Sequence, residues 1–240
     1  MLYLIGLGLN ERGISKEGLD AILKCKKVYL ENYTVNFPYT EHQLEEVIGK
    51  KFKIADREKV EDLSLVDESK KLNVALLVYG SPLNATTHIT LINECKATGV
   101  KCRVICSSSI FDAIAETGLQ LYKFGKVASM PSWQKNFEPD SFMKIVKENQ
   151  KINAHSLILI DIGLEFKKAF EQLKVTAKKE EVKLDRIVIC QALGTRSSKI
   201  LYRSLEEAEG FTGVQKPYCI IIPSELHFLE KEVLENFSGR

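Results

Sequence analysis

Short apolar runs rich in β-branched and aliphatic residues alternate with longer segments of helical periodicity along almost the whole chain. Such alternation is typical of βαβ units, in which parallel strands form a sheet and the connecting helices cover its faces. The first series of predicted strands comprises residues 2–7, 28–31, 52–55, 73–79 and 100–106. The sequence therefore predicts an α/β fold built from parallel βαβ units.

A second series of strands and helices follows after residue 126. Its predicted strands are residues 127–130, 156–162, 186–191 and 218–222, and its predicted helices lie near 140–149, 165–181, 198–209 and 225–236. The segment 118–126, which contains glycines at 118 and 125 and lacks helical periodicity, is interpreted as a linker. A chain of 240 residues is long enough for two domains of ordinary size. We therefore expect an N-terminal α/β domain at 1–122 and a C-terminal α/β domain at 123–240.

Capping patterns add detail to the helices of the first series. Thr40 and Gln43 have the spacing of a capping box and predict the start of a helix. Thr86 or Thr87 is expected to cap a later helix that ends at Gly99.

Composition excludes several classes of function. The formal net charge is +2, with acidic and basic residues interspersed, so the chain lacks the basic surface that a nucleic acid requires. The six cysteines show no C-x-x-C spacing, which favours reduced thiols in a core over a metal site or disulfides. No apolar stretch approaches the ~20 residues of a membrane helix, and no secretory signal is evident. A cytoplasmic protein without a membrane or nucleic-acid partner is expected.

The loop after the first strand raises the question of a bound ligand. Gly6 and Gly8 resemble the start of a dinucleotide-binding turn, but Glu11 stands where that motif needs a third glycine or alanine. Glu31 lies where the motif has its ribose-binding acid. A nicotinamide-dependent dehydrogenase and a tight turn without any ligand therefore remain alternatives at this point.

Three further loops follow predicted strands, where ligands bind in α/β sheets. They are residues 80–88, 107–110 and 223–227. The first is dense in small and hydroxyl side chains, although such a loop can also serve only as a helix cap. The histidines have no metal-ligand spacing, and no P-loop, nucleophile elbow or catalytic carboxylate pair is present. No metal site is predicted.

Taken in order, these loops and several other segments closely resemble the diphthine synthases, a branch of the tetrapyrrole methylases. The matching segments span nearly the whole chain and are Gly6-Leu7-Gly8-Leu9, Glu31-Asn32-Tyr33-Thr34, residues 80–88, Ser109-Ile110, residues 117–125, 136–142, 147–149 and 155–162, and Leu226-His227. The resemblance implies two α/β domains with the cofactor in a cleft between them, and a homodimer. It also implies an S-adenosylmethionine-dependent N-methyltransferase. The acceptor would be the 3-amino-3-carboxypropyl histidine of translation elongation factor 2, methylated in steps to diphthine.

The family's cofactor contacts can be carried over position by position. The matching residues are Leu9, Ser81, Asn84, Ser109, Ile110, Leu164, Leu193, Ile200 and His227. Ser81 departs from the aspartate that is usual in the family, so a charge-assisted acceptor is missing there. The sequence identifies no residue as the base that deprotonates the acceptor amine. Glu31 or Tyr33 is a hypothetical partner of the methylated ammonium group.

Two further alternatives use the same fold. One is a methyltransferase that acts on a corrin or porphyrin. The other is a catalytically inactive binding protein that has lost useful cofactor affinity through Ser81.

Overall fold

The computed structural model describes residues 1–239 and divides into two compact units, the first from Met1 to Ala113 and the second from Ile114 onward. The boundary expected after Tyr122 thus lies later in the chain than this division. The segment 118–126 packs within the second unit and is not a free linker. The amide of Gly125 donates to the carbonyl of His155 at 2.9 Å, and the amide of His155 donates to the carbonyl of Lys123 at 2.9 Å.

A parallel sheet forms the centre of the first unit. Its strands are β1 (Leu2–Gly6), β2 (Lys27–Glu31), β3 (Lys53–Ala55), β4 (Val74–Val78) and β5 (Cys102–Ile105). Their order is β3-β2-β4-β1-β5, and each neighbouring pair is parallel. The helices are α1 (Lys16–Leu23), α2 (Glu41–Ile48), α3 (Arg57–Glu61), α4 (Ser64–Ser69), α5 (Ile89–Ala97) and α6 (Ile110–Ala113). This arrangement confirms the parallel sheet expected for the first series.

Both faces of this sheet are buried, which explains why its central strands are apolar throughout. In β1, Tyr3 and Ile5 pack into one apolar layer, while Leu2 and Leu4 pack into the other. A strand covered on both sides has no solvent-facing positions and therefore shows no polar alternation. The loops that follow these strands therefore emerge from a core that is packed on both faces.

The capping predictions have opposite outcomes. The capping box at α2 is confirmed, because Gln43 and Thr40 exchange hydrogen bonds of 3.2 and 2.8 Å between side chain and backbone. The threonine cap of α5 is wrong, since His88 occupies the N-cap position without a side-chain bond. The Thr86 hydroxyl donates instead to the carbonyl of Pro82 at 2.7 Å. It therefore stabilises the loop and does not cap the helix.

The second unit contains a mixed sheet, so the expectation of parallel βαβ units is wrong for most of this part of the chain. Its strands are β6 (Ala128–Met130), β7 (Ser156–Ile160), β8 (Arg186–Gln191), β9 (Lys199–Ser204) and β10 (Tyr218–Ile222). The order is β6-β7-β10-β8-β9, with β6 and β7 parallel and the other neighbouring pairs antiparallel. The helices are α7 (Ser141–Lys151), α8 (Phe166–Glu180), α9 (Leu205–Glu209) and α10 (Phe228–Glu235), and 3-10 turns cover Ile114–Thr117 and Leu121–Lys123.

The helix predicted at 198–209 is wrong over its first half. Residues 199–204 form β9, where Leu201 lies opposite Ile189 in antiparallel register. The helix begins only after Ser204, whose side chain forms a capping box with Glu207. The structure selects strand for the Ile-Leu-Tyr run because it completes the edge of a sheet, which local periodicity cannot reveal.

No helix within residues 1–239 is long and apolar enough to cross a membrane.

Candidate functional site

The loops that follow β1 and β4 are joined backbone to backbone. Gly8 and Gly80 exchange hydrogen bonds of 3.1 and 2.9 Å, and both have positive φ values, +71° and +69°. A Cβ added at Gly6 would lie 2.6 Å from the carbonyl oxygen of Gly80. Glycine is therefore required where the two loops meet, and the joined loops present backbone without side chains at the carboxyl end of the sheet.

A third loop, after β5, is tied to the same region. The Asn84 amide donates to the Ser109 hydroxyl at 3.0 Å, and the amide nitrogen of Ser109 donates to the Asp112 carboxylate at 2.7 Å. Ser107 donates its hydroxyl to the carbonyl of Gly13 at 2.8 Å. The structure thus brings together Asn84 and Ser109, two of the cofactor contacts that the family resemblance implies.

The other predicted contacts of the first unit lie around this loop pair. Ser81 is 8 % exposed, and its hydroxyl forms no hydrogen bond with any residue between 1 and 239. Leu9 is buried, and its carbonyl accepts a hydrogen bond from the Tyr79 hydroxyl at 3.1 Å. Ile110 is the first residue of α6. Tyr79 and Asp112 are not among the predicted site residues, although the Ser109-x-x-Asp112 spacing is itself a helix-start signal.

Three predicted contacts of the second unit lie on the side of its sheet where neighbouring strands end or begin together. Leu164 follows β7 and accepts a hydrogen bond from the Tyr218 hydroxyl at 3.0 Å, while Leu193 follows β8. Ile200 lies near the start of β9, opposite Cys190. The antiparallel order brings the end of β7, the start of β10, the end of β8 and the start of β9 to the same edge.

His227 lies at the opposite edge of that sheet, because it follows the carboxyl end of β10. It caps α10, and its amide donates to the Glu230 carboxylate at 2.8 Å. His227 and the other three predicted contacts of the second unit therefore do not form one cluster within the unit.

A buried carboxylate, Glu230, fixes the segment around His227. Besides the His227 amide, it accepts hydrogen bonds from the Gln120 amide at 2.9 Å, Lys123 Nζ at 2.8 Å and His155 Nε2 at 3.0 Å. Burial by itself raises the pKa of Glu230, but these bonds outweigh it and lower the pKa to about 2. Glu230 is ionised at neutral pH and orders the start of α10.

The first unit also encloses a carboxyl group, Glu31, at the end of β2. Its side chain has no exposed surface and accepts a hydrogen bond from the Thr34 hydroxyl at 2.9 Å. Burial raises the pKa of Glu31, against the opposing effects of Thr34 and His88. His88 is also buried and donates from Nδ1 to the carbonyl of Pro82 at 2.9 Å. Its buried Nε2 finds no partner among residues 1–239.

These contacts bear on the hypothesis that Glu31 or Tyr33 accompanies a methylated ammonium group. Glu31 is enclosed, and the Arg57 guanidinium lies 5.4 Å from the centroid of the Tyr33 ring. The Glu31 carboxyl and the face of the Tyr33 ring that Arg57 covers are therefore closed to a cationic ligand in this arrangement.

In the part of the chain that the structure describes, no group of three or more His, Cys, Asp or Glu side chains could hold a metal ion. The described cysteines are free thiols.

Comparison with known proteins places these features in a family. A model of the tetrapyrrole (corrin/porphyrin) methylases matches residues 1–209. Diphthine synthase from Methanocaldococcus jannaschii is 35 % identical over 98 % of each chain. Diphthine methyl ester synthase from Schizosaccharomyces pombe is 33 % identical over 99 % of this chain and 94 % of its own.

A solved crystal structure of a diphthine synthase superimposes with a TM-score of 0.89 and 31 % identity, over 99 % of this chain and 95 % of that one. The fold is thus the tetrapyrrole methylase fold, mixed α/β with two sheets, as the resemblance implied. The relatives agree with the methyltransferase interpretation and contradict the dehydrogenase alternative.

Proposed function

Because this chain belongs to the diphthine synthases of the tetrapyrrole methylase family, we propose that it methylates the 3-amino-3-carboxypropyl histidine of translation elongation factor 2 in steps. It is a methyltransferase of diphthamide biosynthesis. The proposed methyl donor is S-adenosylmethionine, and the proposed product is diphthine. We further propose that the protein is a cytoplasmic homodimer.

The single observation that best supports the donor site is the set of loops beyond β1, β4 and β5. Gly8 and Gly80 present bare backbone there, and the hydroxyl of the adjoining, largely buried Ser81 has no hydrogen-bond partner between residues 1 and 239. A hydroxyl that is free to donate and accept beside exposed backbone groups gives a ligand polar groups to bind. These features fit a compact donor molecule with polar groups.

Methyl transfer of this kind requires mainly that the donor and the acceptor are correctly aligned. S-Adenosylmethionine, when bound, supplies a methyl group that its sulfonium charge has already activated. The protein's part is to hold donor and acceptor in line and to exclude water. The Asn84–Ser109 bond and the Gly8–Gly80 pair suit that task, because they fix three loops in one arrangement.

The proposal is tested by incubating the purified protein with S-adenosylmethionine and elongation factor 2 that carries the aminocarboxypropyl histidine, then measuring the intact mass of the factor. We expect mass gains of one methyl group at a time. Mild alkali then separates two products, because it hydrolyses a methyl ester and leaves N-methyl groups in place. Methyl groups that all survive alkali support diphthine as the product.

Controls separate the remaining alternatives. A tetrapyrrole offered in place of the factor should gain no methyl group, and methylation of the tetrapyrrole alone would transfer the proposal to the corrin and porphyrin branch. Absence of any S-adenosylmethionine binding in calorimetry would instead favour the inactive binding protein.

A further inference from the structure

A cavity of about 330 Å³ lies in the first unit, beyond the carboxyl end of β2. Its walls are formed by the end of β2, the loop that follows and the first turns of α2. A volume of this size suits a small ligand or the end of one side chain. The position also agrees with the general rule that ligands of α/β sheets bind beyond the carboxyl ends of the strands.

Several polar groups of the cavity wall have no protein partner. Tyr39 is 9 % exposed, yet its buried hydroxyl forms no hydrogen bond within residues 1–239. In the same described range, the side chains of Asn32, Asn36 and Glu41 also form no hydrogen bond or ion pair, and all three line the cavity. Buried polar atoms are almost always satisfied, so the enclosed Tyr39 hydroxyl is a group that a molecule bound at this wall can satisfy.

The composition of the wall selects one kind of ligand. Among the described residues that line the cavity, Glu41 carries the charge, and no lysine or arginine takes part. Phe37 and Tyr39 add aromatic rings, which attract organic cations, and the effect persists for a fully methylated ammonium that has no N–H left to donate. The Asn32 and Asn36 amides and the Tyr39 hydroxyl can donate to a carboxylate. Burial raises the pKa of Tyr39, so its hydroxyl remains a donor at neutral pH.

The cavity is connected to the proposed donor site through a third aromatic residue, Tyr79. The ring centroid of Phe37 lies 5.4 Å from that of Tyr79, in an edge-on arrangement, and the Tyr39 centroid lies 6.4 Å away. Tyr79 in turn donates its hydroxyl to the carbonyl of Leu9. One wall of the cavity is therefore packed against the loop that carries a predicted cofactor contact.

We infer that this cavity is the acceptor pocket, which binds the ammonium and carboxylate of an amino-acid head group at the end of the side chain being methylated. The inference rests on the proposed function and specifies where that function holds its substrate. Glu41 and the aromatic rings face the ammonium, and the amide and phenol donors face the carboxylate. The aromatic wall retains its attraction for the nitrogen as successive methyl groups replace its hydrogens.

The test compares Glu41→Gln and Tyr39→Phe with Glu45→Gln, a matched control on the same helix that does not line the cavity. Loss of the charge or of the hydroxyl should raise the KM for modified elongation factor 2 by about 5- to 10-fold. The affinity for S-adenosylmethionine, measured by calorimetry, should stay within about twofold of the wild type. A KM unchanged in both cavity variants, relative to Glu45→Gln, would overturn the inference.

A second measurement remains informative if the chain methylates no form of elongation factor 2. The free head group, 2-aminobutanoate, is titrated into the wild-type protein and the three variants, and binding is followed by NMR chemical shifts. Binding that weakens in Glu41→Gln and Tyr39→Phe but not in Glu45→Gln supports the cavity assignment independently. Equal binding by all four proteins, or none by the wild type, rejects it.

Discussion

The side-chain amide of Asn84 donates a hydrogen bond to the hydroxyl of Ser109 across 3.0 Å, linking the loop after β4 to the loop after β5. Asp112 accepts from both the amide and the hydroxyl of Ser109, which orients that hydroxyl. The bond joins two residues of the proposed donor site. Their geometry is therefore set before any ligand arrives, which lowers the entropy cost of binding.

Replacing Asn84 with alanine should weaken S-adenosylmethionine binding by about tenfold, since a neutral hydrogen bond contributes roughly 0.5–1.5 kcal/mol and the loop also loses its order. Calorimetric titration gives the affinity. Thr98→Ala serves as the control, because Thr98 lies exposed at the end of α5 and bonds only within its own helix. An Asn84→Ala affinity equal to that of the control would show that the loop link does not serve the donor.

Ser81→Asp should increase the affinity for S-adenosylmethionine, because a carboxylate accepts charge-assisted hydrogen bonds that are about twice as strong as neutral ones. The same substitution should lower the melting temperature of the ligand-free protein, since the position is 8 % exposed and a buried charge is costly. Saturating ligand should recover that loss. Calorimetry and thermal melts with and without ligand measure both effects. An unchanged affinity would place Ser81 away from the donor, and a weaker one would contradict the expected hydrogen bond.

Gly6→Ala should destabilise the protein by about 1–3 kcal/mol, because its Cβ would collide with the backbone of the joined loops. Gly210→Ala is the matched control, since a Cβ there meets nothing within 4 Å and the residue has an ordinary helical φ of −81°. Denaturant unfolding gives the two free energies. Equal values for both variants would mean that the β1 and β4 loops can separate at little cost.

The parts that the sequence predicts well are those that depend on local pattern. Apolar runs identify the parallel sheet of the first unit, and the Thr40–Gln43 spacing identifies the start of α2. The helix predicted over residues 199–204 is wrong, because a short Ile-Leu-Tyr run suits either a helix or an edge strand. Only its pairing with β8 determines that the run is a strand.

The candidate site is predictable only in part for a similar reason. Asn84 and Ser109 follow different strands, and the rule for strand ends places both at one edge of the sheet. The separation of His227 from Leu164 depends on β10 running antiparallel to β7, which the alternation of strands and helices does not reveal. The cavity beside Tyr39 arises from the course of one loop and leaves no sequence signal.

The network around Glu230 makes the stability of the second unit dependent on pH. His155 accepts the Ser224 amide at Nδ1 and faces Glu230 with Nε2, so the ring must be neutral and carry its proton on Nε2. Burial lowers the pKa of His155 below its ordinary value of 6.5, although the bond to Glu230 opposes this effect. Both His155 and Glu230 therefore bind protons more readily when the chain is unfolded.

Protons accordingly favour the unfolded state, and the free energy of unfolding should fall as the pH is lowered from about 7 to about 5, where His155 titrates in the unfolded chain. Glu230 adds a further loss below its ordinary pKa of 4.5, as the pH approaches its folded value of about 2. His155→Gln should be less stable at pH 7, but its free energy of unfolding should change less between the two pH values than that of the wild type. His42→Gln is the control, because His42 is exposed and lies outside the Glu230 network. Denaturant unfolding at both pH values measures these free energies of unfolding. An equal change with pH in the wild type and in His155→Gln would contradict the assigned role of His155.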